Sequence, residues 1–307
     1  MSTFNSDPMT PNPTNPNTHS QRWGEGEIAI GQFSESDLTE AMGLKEQANW
    51  NQTENDWHRL LNLGPQGCFA AHHARRVIGT VTTVTYGREL SWIGMMLVDP
   101  GYRRRGVGTR LMQTALDYLQ GIGVTSIKLD ATALGRPLYE TLGFMAEGMI
   151  EHWEGVAPAV ERKDLLKIDP QTRPTVYALD RLAFGADRRP LLDSLINDSP
   201  VAPLMVMTPK GQLDGYALAR PGSNAFYVGP VVAMSKESAL SLFDGMLSQL
   251  AGKKVYLNFH TGFGIDSKVL SQRGFVKKRD LIRMRFSQES SAGTSNLIFG
   301  IAGPEVG

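Results

Sequence analysis

The sequence predicts an α/β protein with a mixed sheet, built as two successive units, each a mostly antiparallel twisted sheet flanked by helices. Three observations carry that prediction. Residues 91–120 read as an apolar strand, a glycine-bearing turn and an amphipathic helix. Strand-like runs at about 67–73, 76–86 and 89–98 are separated by short charged or glycine turns, the pattern of an antiparallel meander. Residues from about 170 to 287 then repeat the same outline in a diverged form.

The chain has 307 residues, enough for two domains that each bury a core. Its formal net charge is zero, so no global field holds nucleic acid or an anionic membrane. The single cysteine rules out an intramolecular disulfide and a four-cysteine metal site. Cys68, in the apolar run Gly67-Cys68-Phe69-Ala70-Ala71, reads as a buried strand residue. No apolar run approaches the ~20 residues needed to span a bilayer. No charged-then-apolar signal layout opens the chain, so a cytoplasmic protein is expected.

Taken in order, residues 1–25 are rich in Pro, Asn, Thr and Ser and read as a disordered tail. The first unit is expected over 26–168. Ile28 and Ile30 mark a strand, and Ser34 or Ser36 caps a helix running to about Gln47. Thr53 and Asp56, three apart, form a capping pair for a second helix carrying Trp57, Leu60 and Leu61. After the meander, Val107, Leu111, Ala115 and Leu119 recur every fourth residue, with Met112 and Leu116 widening the stripe, and Gly121 and Gly123 end the helix. A strand at 126–131 follows. Gly135-Arg136-Pro137 opens a short helix that closes at Gly143-Phe144, with Tyr139 one position round from the core-facing Leu138 and Leu142. Strands at about 145–154 and 160–167 complete the unit.

The turn before the long helix has the makings of an anion site. First-turn N–H groups have no intrahelical partner and lie at the positive end of the helix dipole. Gly106 and Gly108 let a phosphate approach, Thr109 adds a hydroxyl, and Arg103, Arg104 and Arg105 supply counter-charge. The spacing meets neither the nucleotide P-loop nor the dinucleotide pattern.

Arg103-x-x-Gly106-x-Gly108 after a strand resembles the acyl-CoA signature of the GNAT acyltransferases. Leu138-Tyr139-x-x-Leu142-Gly143-Phe144 strengthens the likeness, which extends along about 140 residues of the first unit. The second unit, 169–287, resembles the degenerate C-terminal half of bacterial tandem GNAT proteins: Met234-Ser235-Lys236-Glu237 replaces the arginines and paired glycines, and Leu270 falls where the first copy has Tyr139. Residues 288–307 are expected to be a flexible tail; the apolar run 297–301 within them has no assigned role.

The resemblance implies an N-acetyltransferase that uses acetyl-CoA as co-substrate, needs no metal, and acetylates a primary amine of a small metabolite by direct attack in a ternary complex. Met96, Leu97 and Val98 then hold the pantetheine arm and thioester, and Arg103, Arg104, Arg105, Gly106, Val107, Gly108 and Thr109 hold the phosphates. Tyr139, which also touches CoA, is the general acid to sulfur. An amine of pKa near 10.4 is only about one part in 10³ neutral at pH 7, so a proton acceptor is required. Some family members place a glutamate eleven residues before the signature's first arginine. Here that position is Trp92, leaving Glu89, Asp130 or His152 through a water, or solvent itself. Trp50, Asn51, Trp57, Trp92 and His152 are the expected acceptor pocket. Two other readings stay open, a non-catalytic CoA-binding sensor and a protein N-acetyltransferase; a homodimer is neither indicated nor excluded.

Overall fold

The computed structural model describes residues 21–22, 27–160, 165–261, 265–286 and 293–307. Most of the segment expected to be disordered lies outside these, but Gln21–Arg22 form a short strand, β1, paired with the next. In the first half follow β2 (Glu27–Gln32), α1 (Leu38–Gln47), α2 (Glu54–Leu63), β3 (Phe69–His73), β4 (Arg76–Tyr86), β5 (Leu90–Val98), α3 (Val107–Gly121), β6 (Ile127–Ala131), α4 (Arg136–Thr141), β7 (Met145–Val156) and β8 (Leu166–Lys167). The second half carries α5 (Arg173–Phe184), α6 (Arg189–Asn197), β9 (Leu204–Met207), β10 (Leu213–Arg220), β11 (Phe226–Ala233), α7 (Lys236–Gln249), β12 (Lys254–His260), α8 (Ser267–Gln272), β13 (Val276–Phe286) and β14 (Ile298–Gly300). Part of the strand expected at 160–167, residues 161–164, lies outside the described residues.

Local chemistry accounts for these elements. Thr53 and Asp56 cap α2 reciprocally: the Asp56 N–H donates to Thr53 Oγ1 at 3.3 Å and the Thr53 N–H to Asp56 Oδ2 at 2.7 Å. The stripe of α3 buries Val107, Leu111, Met112, Ala115, Leu116 and Leu119 against the sheet. Each of its larger side chains contributes about 1.5–3 kcal/mol on burial. Cys68 is buried as expected, its thiol donating to the Gly64 carbonyl at 3.3 Å, and burial pushes it up to about 12.

The strands join into one sheet rather than two. Its order is β1-β2-β3-β4-β5-β6-β13-β7-β12-β14-β11-β10-β9-β8. The halves have exchanged strands at the centre: β13, late in the chain, pairs antiparallel with β6 (Ile282 opposite Ala131), while β7 pairs antiparallel with β12 (Leu257 opposite Trp153). Strands β13 and β7 pair with each other between them. One hydrophobic cluster likewise draws on both halves, from Trp57 and Leu60 of α2 to Leu191 and Leu195 of α6.

Each half contains a pair of parallel strands that meet briefly and then part. Strands β5 and β6 pair only at Ser91–Ile127 and Trp92–Lys128. Strands β11 and β12 pair from Phe226–Val255 to Val228–Leu257. Pro230, which has no N–H to donate, follows soon after the last of these pairs. In the second half the gap is filled by β14, which pairs with β11 at Val231–Gly300 and Val232–Ile298 and with β12 at Phe259–Gly300. The expected flexible tail is therefore corrected over 293–307. Leu297, Ile298, Phe299, Ile301, Ala302 and Val306 are all buried. Residues 288–292 of that expectation lie outside the described residues.

Candidate active site

The gap between β5 and β6 opens into a cavity of about 1070 Å³. That is at the upper end of the range for ligand pockets. One end is the arginine–glycine turn. Strand β5 leaves its ladder at a bulge: Gly94 pairs with Thr82 and Leu97 with Thr80, so Met95 and Met96 together oppose one residue of β4. Met95 has φ 45°, and its carbonyl accepts from Thr80 Oγ1 at 2.7 Å. Met96, Leu97 and Val98 line the cavity from there.

Arg103 is fixed by its Nε donating to the Val98 carbonyl at 3.0 Å, and Arg104 takes φ 59°. Gly106 is the N-cap of α3 at φ 79°, a conformation that favours glycine. Arg110 makes the 3.0 Å bond back to the Gly106 carbonyl, so the N–H groups of Val107, Gly108 and Thr109 precede the helix's own ladder. A Cβ on Gly108 would stand 2.9 Å from the Met96 methyl and 3.3 Å from Leu138 Cδ2, so the glycine keeps that cradle open. Arg103, Arg104, Gly106, Gly108 and Thr109 all line the cavity. Arg105 does not line the cavity; it is exposed, 5.7 Å from the Tyr102 ring centroid. The Val107 side chain is committed to the core, which leaves its N–H as the part that can meet a phosphate.

Tyr139 lines the cavity, packed on Gly135 and edge-on to Phe144 at 6.0 Å. Burial raises its phenol well above the usual range, so it holds its proton at neutral pH.

The other end of the cavity is walled by both halves. Trp50 and Asn51 line it as expected. Asn51 also clamps the second half: its Nδ2 donates to the Ala225 carbonyl at 3.0 Å while its Oδ1 accepts from the Asn224 and Ala225 N–H groups. His152 lines the wall, its Nδ1 2.7 Å from Asn258 Oδ1; burial holds its pKa below the usual histidine range. Arg220, Tyr227, Tyr256 and Asn258 of the second half complete the wall.

The remaining expected residues do not meet there. Glu89 sits exposed in the β4–β5 turn, at the opposite end of β5 from the bulge, and does not line the cavity. Trp57 is fully buried, stacked on Phe33 at 5.2 Å in the core. Trp92 is buried beneath the C-terminal segment, its Nε1 donating to the Pro304 carbonyl at 2.9 Å. Neither tryptophan lines the cavity.

Asp130 lines the cavity but is held at 2.9 Å through both oxygens by the Arg283 fork, and Arg283 itself lies over the Trp92 ring at 4.5 Å. This pair ties exchanged strand β13 to β6. Arg283→Met is expected to cost about 3–5 kcal/mol by stranding a buried carboxylate, and adding Asp130→Asn should restore part of the loss. Thermal unfolding of the single and double variants checks it.

Sequence reasoning missed Glu305, as it missed the wall residues of the second half. Glu305 is buried and lines the cavity, with Oε1 accepting from Arg220 Nη2 at 2.6 Å and Oε2 from Gln52 Nε2 at 2.9 Å. The signal was an apolar run, 297–301, followed by Gly303-Pro304-Glu305. Nothing local says where such a run docks. Among the described residues no cluster of side chains has the makings of a metal site, and no helix is long and apolar enough to cross a membrane.

Comparison with known proteins agrees with this geometry. Residues 29–144 match the family described as "Acetyltransferase (GNAT) family", and residues 176–300 match "Acetyltransferase (GNAT) domain". The chain is 31% identical over 202 residues to the uncharacterized N-acetyltransferase YitH of Bacillus subtilis (strain 168), covering 64% of this chain and 70% of that protein. It is 24% identical over 264 residues to the holothin acyltransferase of Pseudoalteromonas sp. (strain SANK 73390), covering 84% and 87%. Among solved structures, a Pyrococcus horikoshii protein described as a candidate acetyltransferase superposes with TM-score 0.80 at 20% identity, over 95% of this chain and all of that one. A tandem GNAT protein from the clavulanic acid biosynthesis pathway superposes with TM-score 0.58 at 15% identity, covering 87% and 99%. At such identities the structures speak for the fold alone.

Proposed function

Since the chain belongs to the GNAT acetyltransferase family, we propose that it transfers an acetyl group from acetyl-CoA to the primary amine of a small metabolite, by direct attack in a ternary complex. The observation that carries this reading is one continuous cavity. It runs from the arginine–glycine turn past Met96 and Tyr139 to a wall supplied by the second half. A wall formed by Arg220, Tyr227, Tyr256 and Asn258 supports a small-molecule acceptor over a protein surface.

The residues present fit the co-substrate. The left-handed Gly106 and the side-chain-free Gly108 leave the start of α3 open to a pyrophosphate, with Arg103 and Arg104 as counter-charge. Acetyl-CoA supplies the activated thioester. The β5 backbone beside the bulge orients the acyl group, and backbone donors there oppose the charge that develops on its oxygen, an effect worth about 3–4 kcal/mol where one such donor has been removed elsewhere. Tyr139 supplies the proton for sulfur. In the second half β14 occupies the equivalent gap, which supports a second half that binds no CoA and instead walls the acceptor site.

Thiol release from acetyl-CoA across a panel of small amines tests the reading. Wild type should turn over on at least one amine, and Tyr139→Phe should lower kcat about 10²–10⁴-fold with CoA affinity retained. CoA binding without acetylation of any amine would refute the proposal and favour a sensor.

A further inference from the structure

The family position for a catalytic glutamate holds Trp92, and Trp92 is bonded to Pro304, the neighbour of Glu305. The C-terminal segment crosses β5 just there. A Cβ on Gly94 would lie 2.7 Å from both the Cα and the carbonyl oxygen of Glu305, so only a glycine lets the segment pass this close. Gly94 immediately precedes the Met95–Met96 bulge, where the acyl group is oriented. Glu305 therefore stands beside the reacting end of the cavity, on the face that Arg220 and Tyr227 share.

We propose that Glu305, delivered by the C-terminal segment, is the proton acceptor for the attacking amine, and so replaces the carboxylate that β5 lacks. The inference rests on the acetyltransferase reading above. The cavity's other carboxylates, Asp130 in the Arg283 fork and Glu154 between His152 and Lys254 at 3.4 Å, likewise carry one partner on each oxygen; what sets Glu305 apart is its contact with Gly94 beside the bulge. Each Glu305 oxygen has one side-chain donor, Arg220 or Gln52, leaving lone pairs for a substrate proton.

The segment is held rigidly enough for the role. Tyr86 donates to the Val306 carbonyl at 2.7 Å, Arg188 to the Gly307 carbonyl at 2.8 Å, and Tyr227 to the Ile301 carbonyl at 3.0 Å.

The protons balance as follows. The acceptor arrives as an ammonium and gives one proton to the Glu305 carboxylate, which later releases it to solvent. The neutral nitrogen forms its bond to the acyl carbon as the carbon–sulfur bond breaks. Sulfur takes the Tyr139 proton, and the second proton lost from nitrogen restores the phenol. The products are the amide, free CoA and one solvent proton.

The charged and titratable groups facing Glu305 are Arg220 from β10, Asp56 from α2, and the Tyr227 and Tyr86 phenols. Burial raises the Glu305 carboxyl and outweighs the opposing pull of Arg220. The acidic limb of kcat/KM should accordingly lie above the usual carboxylate range, with activity rising as Glu305 loses its proton.

Glu305→Gln keeps the shape and can still meet Arg220, and calorimetry with CoA reports whether the variant remains folded and loaded. With an alkyl amine, kcat/KM should fall about 10²–10⁴-fold and the acidic limb should vanish. With an acceptor analogue whose amine pKa lies below the assay pH, the variant should approach wild type. Infrared titration of the ligand-free chain should show a carboxyl band, titrating above the usual range, that Glu305→Gln removes. Wild-type turnover with an unchanged variant, or a variant equally impaired on low-pKa amines, overturns this proposal alone. A wild type that acetylates no amine overturns it together with the function on which it rests.

Discussion

Gly108→Asp is expected to abolish acetyl-CoA binding without unfolding the protein. The two effects separate because they have opposite signs at the same place. A carboxylate in the first turn of α3 interacts favourably with the helix dipole, and an aspartate is a better helix residue than glycine, so local stability is unchanged or slightly improved. The new Cβ meets the flexible Met96 methyl at 2.9 Å, a contact that a methionine can relieve. For a pyrophosphate approaching the same N–H groups, the carboxylate is a like charge. At about 4 Å and an effective dielectric constant near 20 the repulsion is roughly 4 kcal/mol, on the order of a thousandfold in affinity. Calorimetry with CoA beside a thermal melt reads both quantities. Unchanged affinity would show that the turn does not hold the phosphates.

That turn was legible in the sequence because its chemistry is local. Arg103, Gly106 and Gly108 sit within six residues, and the helix that follows announces itself through Val107, Leu111, Ala115 and Leu119. Tyr139 was legible for the same reason, its neighbours Gly135, Leu142 and Gly143 fixing a short helix around it. The strand exchange was not. Strands β7 and β13 each follow a short helix ending in Gly-Phe, at Gly143-Phe144 and Gly274-Phe275, and nothing local distinguishes pairing with the strand before its own helix from the exchange. Which partner each takes is decided by contacts such as Arg283 with Asp130, more than a hundred residues apart. The tryptophans misled because position on a strand does not say which face is covered. Trp92 faces a surface that would be a cleft wall if Pro304 and Glu305 did not lie on it.

The largest effect on the fold is expected from removing residues 293–307. Leu297, Ile298, Phe299, Ile301 and Val306 would then leave the core, and at about 1.5–3 kcal/mol each their burial is on the order of 10 kcal/mol. That is comparable with the whole stability of an ordinary domain. The loss would not fall on one layer. Phe299 packs with Phe243 and Phe259 in the cluster under α7, while its neighbours Ile298 and Ile301 belong to the cluster shared by α2, α5 and α6. Arg220 would lose Glu305 and be left with Asp56, and Arg188 would keep Asp180 but lose the Gly307 carbonyl. The shortened chain should therefore aggregate or melt far below the intact one, with the β11–β12 edges exposed. A shortened chain with the melting temperature and CoA affinity of the intact protein would show that the segment is an appendage to a fold complete without it. The expected result instead makes the C-terminal segment an integral part of the fold, the strand that fills the second half's gap.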